Sequence, residues 1–368
     1  MRGGAMSRVR ADNRPAPHPA SPRARGEERA APFFPSPRAS RGEAGNASRI
    51  HALFDGCTAL GAMIRALLIA GPTASGKSAV ALALADRTGG TIVNADSMQV
   101  YRDLRVLTAR PSEADERQAP HRLFGEIDGA ENFSVGRWLE RAKAILAENA
   151  GRPAPILFVG GTGLYFRALT QGLSDIPRVP ETVRAAVRAD AEGEPTPSLH
   201  ARLATRDPLT AAGLRPSDRQ RILRALEVVA ATGRPLAEFH GAREAPPLAA
   251  RQWAGLFLAP ERAALNARIA ARFAAMLREG ALDEVDALMR RGLDPALPVM
   301  RAHGVPHLIA HLRGELSLAD AAEFAVRDTR RYAKRQFTWA RHQMPDFAWV
   351  APEGAEAAGA EALALALS

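Results

Sequence analysis

From residue 64 onward, short apolar runs alternate with longer stretches whose apolar residues recur every three or four positions. Residues 64–70 are apolar except for Arg65, and 91–95, 156–159 and 253–258 are further runs of mostly apolar composition. Runs this short, bounded by Gly, Pro or polar residues, predict strands covered on both faces. The stretches between them carry helical periods. Residues 78–86 predict one helix. In 135–147, Val135, Trp138, Leu139, Ala142, Ile145 and Leu146 fall on one face, with Ser134 as N-cap and Gly151 past the end. Residues 218–231 predict a helix stopped at Gly233-Arg234-Pro235. Residues 262–290 read as two helices broken near Gly280, and 318–342 as the last long helix. Strands alternating with helices predict an α/β fold, a parallel sheet flanked by helices. Ligands of such sheets sit at the carboxyl ends of the strands.

The first 62 residues break this pattern. They hold ten arginines, five acidic residues and seven prolines between Pro15 and Pro37, with little apolar periodicity. Such a segment cannot bury enough surface to offset its ordering entropy, so residues 1–62 are expected to be a disordered extension. Met63, directly before the first strand, is a natural start. Residues 175–250 read as helices and Pro-rich loops, a helical insertion between 63–174 and 251–350, which together make the core domain. Residues 351–368, rich in Ala, Glu and Leu, carry no further signal and read as a tail.

Composition narrows the class. No run of about 18 apolar residues occurs, so no membrane-spanning helix is expected. Cys57 is the only cysteine, which excludes a disulfide framework and a cysteine-based zinc finger and fits the cytoplasm. The net charge of +9 favours a polyanionic partner. Much of that excess lies in residues 1–62, outside the predicted fold.

The turn after the first strand reads Gly71-Pro72-Thr73-Ala74-Ser75-Gly76-Lys77-Ser78 and fits G-x-x-x-x-G-K-[ST], the P-loop. Only three lysines occur in the chain, and Lys77 is one of them. The glycines let backbone N–H groups close around phosphate oxygens, and the helix N-terminus adds partial positive charge. Lys77 brings a full charge, and the Ser78 hydroxyl is placed to bind Mg²⁺. The loop predicts a phosphate, as in ATP-binding and other nucleotide-binding proteins, without naming the reaction. The expected architecture is therefore a P-loop NTPase-like parallel sheet with a helical inserted lobe and a helical C-terminal region.

Two other strand ends carry chemistry. Asp96 opens Asp96-Ser97-Met98-Gln99-Val100-Tyr101, where an Asp can reach Mg²⁺ through water, act as a general base, or cap the next segment. Thr162 lies in Gly160-Gly161-Thr162-Gly163, either as the N-cap of a helix or in a turn whose glycines admit a ligand. Both should converge with the P-loop on one cleft. Arg327, Arg330, Arg331, Lys334 and Arg335 form a basic stripe on the last helix, interleaved with Tyr332, Phe337 and Trp339. No acidic residue lies between Asp328 and Asp346, so a nucleic-acid backbone is the natural counter-charge. His121 and His303 lack metal-ligand partners at standard spacing and read as structural or substrate-edge residues.

Five segments in order resemble the bacterial tRNA dimethylallyltransferase (tRNA isopentenyltransferase) family. They are the P-loop, Asp96 to Tyr101, Val159-Gly160-Gly161-Thr162-Gly163-Leu164-Tyr165, Asp218-Arg219-Gln220-Arg221-Ile222-Leu223-Arg224-Ala225-Leu226-Glu227, and Ala333-Lys334-Arg335-Gln336-Phe337-Thr338-Trp339. The resemblance implies a prenyltransferase acting on tRNA. It moves a dimethylallyl group from dimethylallyl diphosphate to the exocyclic amine of the adenosine 3′ to the anticodon. It also implies a monomer with Mg²⁺ as cofactor. By this analogy Thr73 to Ser78 bind the diphosphate, and Asp96, Lys77 and Thr162 are catalytic. Asp96, Ser97, Met98, Gln99, Thr162, Arg184, Gln220, Arg221, Ile222, Leu223, Arg224, Arg301, Arg331 and Arg335 contact the anticodon loop. The chain departs from the family at Arg301-Ala302-His303-Gly304-Val305-Pro306, where a Gly followed by Tyr and a basic residue is common, and at Leu107-Thr108-Ala109-Arg110-Pro111. Alternatives are an adenylate isopentenyltransferase acting on a free nucleotide, a P-loop small-molecule kinase, and a non-catalytic RNA-binding protein.

Overall fold

The computed structural model describes residues 64–239, 241 and 243–364. The disorder expected for residues 1–62 and the start at Met63 lie outside the described residues. The first half holds β1 (Ala66–Ala70), α1 (Lys77–Thr88), β2 (Thr91–Asn94), α2 (Glu113–Gln118), β3 (His121–Arg122), α3 (Val135–Glu148), β4 (Ile156–Gly160) and α4 (Gly163–Gln171). Then come α5 (Glu181–Asp190), α6 (Thr196–Arg206), α7 (Pro208–Ala212), α8 (Arg219–Thr232) and β5 (Trp253–Leu258). The last part holds α9 (Arg262–Arg278), α10 (Ala281–Arg290), α11 (Val305–Leu312), α12 (Leu318–Gln343), β6 (Ala348–Val350) and α13 (Ala355–Ala364).

All six strands run parallel in the order β3-β2-β4-β1-β5-β6. β1 is central, with Ala66 opposite Ile156 of β4 on one side and Trp253 of β5 on the other. Its five residues are all buried, and alternation sends them to two cores. Leu68 joins Phe158, Trp138 and Phe166 on the face covered by α3, α4 and the C-terminal helices. Leu67 and Ile69 join Val80 and Leu84 of α1 on the other face. The ends of β2, β4 and β1 are neighbours, so the segments that follow them meet along one rim.

Each helix expected from the pattern forms. Ser134 caps α3 by accepting from the Arg137 N–H, Asp218 caps α8 through the Arg221 N–H, and Gly233 ends α8 at φ 69°. Gly280 separates α9 from α10 at φ 99°. Two short strands escape the pattern because two and three residues show no period: β3 and β6. The stretch beyond Pro352, which carries no sequence signal, is α13. It packs against α1, β1 and β5, where Gly359 comes so close to Leu84 that a Cβ would lie 2.6 Å from its Cδ1.

Helices α5 to α8 bury an apolar cluster of their own, including Leu199, Leu203, Ile222, Leu226 and Phe239. The buried Asp207 carboxylate organises it, accepting the N–H of Thr210 at 2.9 Å and of Leu236 at 2.8 Å.

Candidate active site

The P-loop leaves β1 at Gly71, which is buried beneath the loop it starts. Ala74 and Gly76 both take positive φ, 63° and 94°. No side chain caps the N-terminal amides of α1. Positive-φ residues in the loop and uncapped amides at the start of a helix make a concave, electropositive anion site. Ser75 Oγ is buried with no hydrogen-bond partner among the described residues. The stem of Lys77 is part-exposed, but its ammonium turns inward and donates to the Pro72 carbonyl at 3.3 Å. Burial brings its pKa down to about 8, against the pull of Asp96 and with a push from Arg272.

Asp96 follows β2 and is gripped on both sides of its peptide. Its N–H donates to Asn94 Oδ1 at 2.7 Å, and Asn94 Nδ2 donates to its carbonyl at 2.9 Å. Asn94 is itself fixed by Trp138, whose Nε1 donates to the Asn94 carbonyl at 2.8 Å. Asp96 Oδ1 accepts the Met98 N–H at 2.9 Å, so the capping role is real. It uses one oxygen, and the carboxylate still lines the cavity.

Thr162 does not cap α4: no side-chain cap bond forms there. Its Oγ1 instead accepts the Ser97 N–H at 2.9 Å and donates to Ser97 Oγ at 3.3 Å. The glycines around it allow close protein contacts. A Cβ on Gly160 would lie 2.0 Å from the Ala95 carbonyl oxygen, one on Gly161 2.3 Å from Gln336 Nε2, and one on Gly163 2.1 Å from the Trp339 ring.

Three residues of the site escape a reading of the sequence. Arg272 of α9 donates to Thr73 Oγ1, and burial lowers its pKa while Asp96 opposes the shift. Its signal is present: Leu265, Ile269, Phe273 and Met276 form the buried stripe of α9, and Arg272 interrupts it. Gln336 of α12 is buried and bridges two strand ends. Its Oε1 accepts the Thr73 N–H at 3.1 Å and its Nε2 donates to the Gly161 carbonyl at 2.9 Å. Tyr332 sits one turn earlier, its hydroxyl pKa raised by burial and by Asp96.

Thr73, Asp96, Arg272 and Tyr332 line a cavity of about 200 Å³. Thr73, Asp96, Ser97, Arg272, Arg301 and His303 give it polar walls, and Met98, Leu107, Ile269, Phe273 and Met276 apolar ones. Tyr332 divides it from a second cavity of about 180 Å³ lined by Gly161 to Leu164, Arg335, Gln336 and Trp339. Arg301, His303, His307, Asp328, Arg331 and Arg335 line a polar recess alongside. His303 leans on the Tyr332 ring at 4.6 Å, and burial followed by Arg335 depresses its pKa.

The remaining expected residues divide. Arg301 reaches the cavity, as do Ser97 and Met98. Gln99 turns away, donating through Nε2 to the carbonyls of Thr108 at 2.9 Å and Ala109 at 2.8 Å. Arg184, Gln220, Arg221 and Arg224 lie on the helical lobe and line none of these cavities. Arg184 and Arg224 instead flank the buried Glu227 at 3.8 and 3.9 Å, with Arg188 at 2.9 Å. Ile222 is fully buried in the lobe core and Leu223 packs against it. The basic stripe is exposed, but it does have an internal counter-charge: Arg331 pairs with Asp328, three positions before it, at 3.5 Å.

A family model described as IPP transferase matches residues 99–343, and one described as isopentenyl transferase matches 64–126. The tRNA dimethylallyltransferase of Methylocella silvestris is 64% identical over 296 residues, 80% of this chain and 98% of the relative. That of Beijerinckia indica is 63% identical over 291 residues, 79% of this chain and 96% of the relative. Among solved structures, the full-length tRNA isopentenylpyrophosphate transferase of Bacillus halodurans superposes with a TM-score of 0.58 at 30% identity, covering 83% of this chain and 97% of that one. A eukaryotic dimethylallyltransferase acting on tRNA gives 0.66 at 25% identity, covering 78% and 73%. Sequence, sheet and loop agree, and the chain belongs to the tRNA dimethylallyltransferase family.

Proposed function

We propose that this chain transfers a dimethylallyl group from dimethylallyl diphosphate to the exocyclic amine of the adenosine 3′ to the anticodon of tRNA. One observation carries the reading. The main cavity has Arg272, Asp96 and Thr73 of the P-loop in its polar wall, with Lys77 behind them close enough to interact with both Asp96 and Arg272, and an apolar wall of Leu107, Ile269, Phe273 and Met276. That division suits a ligand with a diphosphate head and a short hydrocarbon tail.

In this reading the P-loop amides, Lys77 and Arg272 hold the diphosphate. The amine nitrogen attacks the first carbon of the prenyl group, the carbon–oxygen bond to diphosphate breaks, and the amine proton passes to Asp96. An aromatic amine is a poor nucleophile, so removing its proton as the bond forms lowers the barrier. Lys77 and Arg272 take up charge growing on the leaving group. Thr162 and Tyr332 orient the acceptor side. The oxygen donors available, the exposed Ser78 hydroxyl and the Asp96 carboxylate, suit Mg²⁺, which favours hard oxygen ligands. Bound by Ser78 and the diphosphate, Mg²⁺ would neutralise leaving-group charge.

Arg327, Arg330, Arg331, Lys334 and Arg335 are exposed, two of them (Arg331 and Arg335) line the recess beside the cavity, and the stripe suits an RNA backbone. We take the enzyme to act as a monomer in the cytoplasm. Among the described residues no helix is long and apolar enough to cross a membrane. The test is incubation with labelled dimethylallyl diphosphate and tRNA, AMP or buffer. Label in tRNA alone is expected. Label in AMP would favour the free-nucleotide enzyme, and ADP released from added ATP in step with turnover would favour a kinase.

A further inference from the structure

Residues 105–109 run beside the cavity as a bend followed by turns, with Leu107 and Thr108 in its wall. The N–H groups of Arg105, Val106 and Leu107 point to one side, an arrangement that ordinarily attracts an anion. Here the anion is a side chain from far along the chain. Glu284 Oε1 accepts from Arg105 and from Val106, each at 2.7 Å, and Oε2 accepts from Leu107 at 3.0 Å.

Glu284 lies in the first turn of α10, which follows α9 after Gly280. Phe273 and Met276 of α9 form the facing wall of the same cavity. Glu284 therefore ties the loop wall to the helix wall. The other end of the loop is held by Gln99 through the Thr108 and Ala109 carbonyls. Leu107 is buried, and the space it closes is tight. A Cβ on Gly304 would lie 3.1 Å from the Phe273 ring and 3.2 Å from Leu107 Cδ1.

We propose that Glu284 is a positioning residue for the prenyl donor: it holds Leu107 against Phe273 and so sets the length of hydrocarbon tail the cavity accepts. The proposal rests on the reading that this cavity holds a prenyl diphosphate. Charge-assisted bonds to three amides are stronger than neutral ones, so their loss frees the loop. A freed loop lets Leu107 retreat, which loosens the hold on a five-carbon tail and opens room for a longer one.

The experiment compares wild type, Glu284→Gln and Glu284→Ala with dimethylallyl and geranyl diphosphate as donors and tRNA as acceptor, below the melting temperature of each variant. In Glu284→Ala the preference for the five-carbon donor in kcat/KM should fall by about tenfold, the scale on which an apolar pocket discriminates size. The KM for tRNA should stay unchanged. Glu284→Gln should fall between, because one oxygen still accepts. A uniform loss of kcat with the donor preference intact would overturn the proposal and leave Glu284 a merely structural residue. If Glu284→Ala does not fold, Glu284→Gln decides by the same ratio, and a wild-type ratio there overturns the proposal. Wild type that transfers neither donor would instead overturn the reading of the cavity on which the proposal stands.

Discussion

Lys77 keeps its ammonium out of water, and the fold bears the cost. Its pKa falls from 10.5 to about 8, so between these values the unfolded chain binds the proton more readily. The cost of the buried charge is therefore fully felt below about pH 8 and fades as pH rises from there to 10.5. An anion in the P-loop reverses the balance by supplying counter-charge, so its binding takes up a proton once free Lys77 is neutral. The advantage of wild type over Lys77→Met in binding inorganic pyrophosphate should shrink as pH rises above about 8. Calorimetry across roughly pH 7 to 9.5 reads this, and a constant ratio would mean that Lys77 stays charged. Asp96 allows a cleaner separation. Because Oδ1 caps the Met98 N–H, Asp96→Ala removes both cap and base, whereas Asp96→Asn retains an oxygen for the cap. Both should slow turnover by roughly 10²–10⁴-fold, the range of a lost general base, with Asp96→Asn still binding tRNA. Near-normal turnover in Asp96→Asn would end the base assignment. Lys77, Asp96 and Thr162 are legible in the sequence because each stands in a local motif at a strand end. Arg272 and Gln336 are not, since their partners at Thr73 lie 199 and 263 positions away. No local pattern encodes such a pairing, and only the lone charge in the apolar stripe of α9 hints at one.

At the scale of elements, α12 does two jobs on two faces. Inward, Gln336 joins the P-loop to the turn after β4. Gln336→Ala leaves the Thr73 N–H and the Gly161 carbonyl unpaired, which should cost about 1–3 kcal/mol and weaken donor binding as the loop loosens. Chemical denaturation and donor KM measure the two effects. Outward, Arg331 and Arg335 face solvent, and the ion pair of Arg331 with Asp328 is exposed. An exposed pair contributes roughly 0–1 kcal/mol, so Arg331→Ala with Arg335→Ala should hardly shift the melting temperature. The double variant should raise the tRNA KM and flatten the salt dependence of log affinity by about 0.7 to 0.9 for each phosphate it no longer neutralises. A lowered melting temperature with an unchanged salt slope would reassign the stripe to internal pairing. The basic face can be read from spacing alone. The inward glutamine cannot, because a buried polar residue directly after Lys334 and Arg335 breaks the periodicity that marks a core.

For the whole molecule, four long strands and the helices between them can be read as α/β, because buried parallel strands are continuously apolar. What escapes such a reading is α13, whose many alanines present no distinct apolar face. It nonetheless covers the sheet on the side away from the C-terminal helices, and Gly359 sets how close it comes. Gly359→Leu should force that helix away from Leu84, an overpacking cost of about 1–3 kcal/mol that lowers the melting temperature by several degrees. Turnover at room temperature should persist, since α13 contributes no residue to the main cavity. An unchanged melting temperature would show that the helix is not seated there. The position of β1 carries a further consequence, for synthesis. β1 needs β4 on one side and β5 on the other, and the helical lobe is translated before β5 is made. On the ribosome its second edge stays open while that lobe emerges, a bare apolar edge of the kind that recruits chaperones or other strands. Arg272 and Gln336, which steady the P-loop, come later still. A nascent chain halted inside the lobe thus contains every residue of the phosphate motif and yet lacks the framework that holds it.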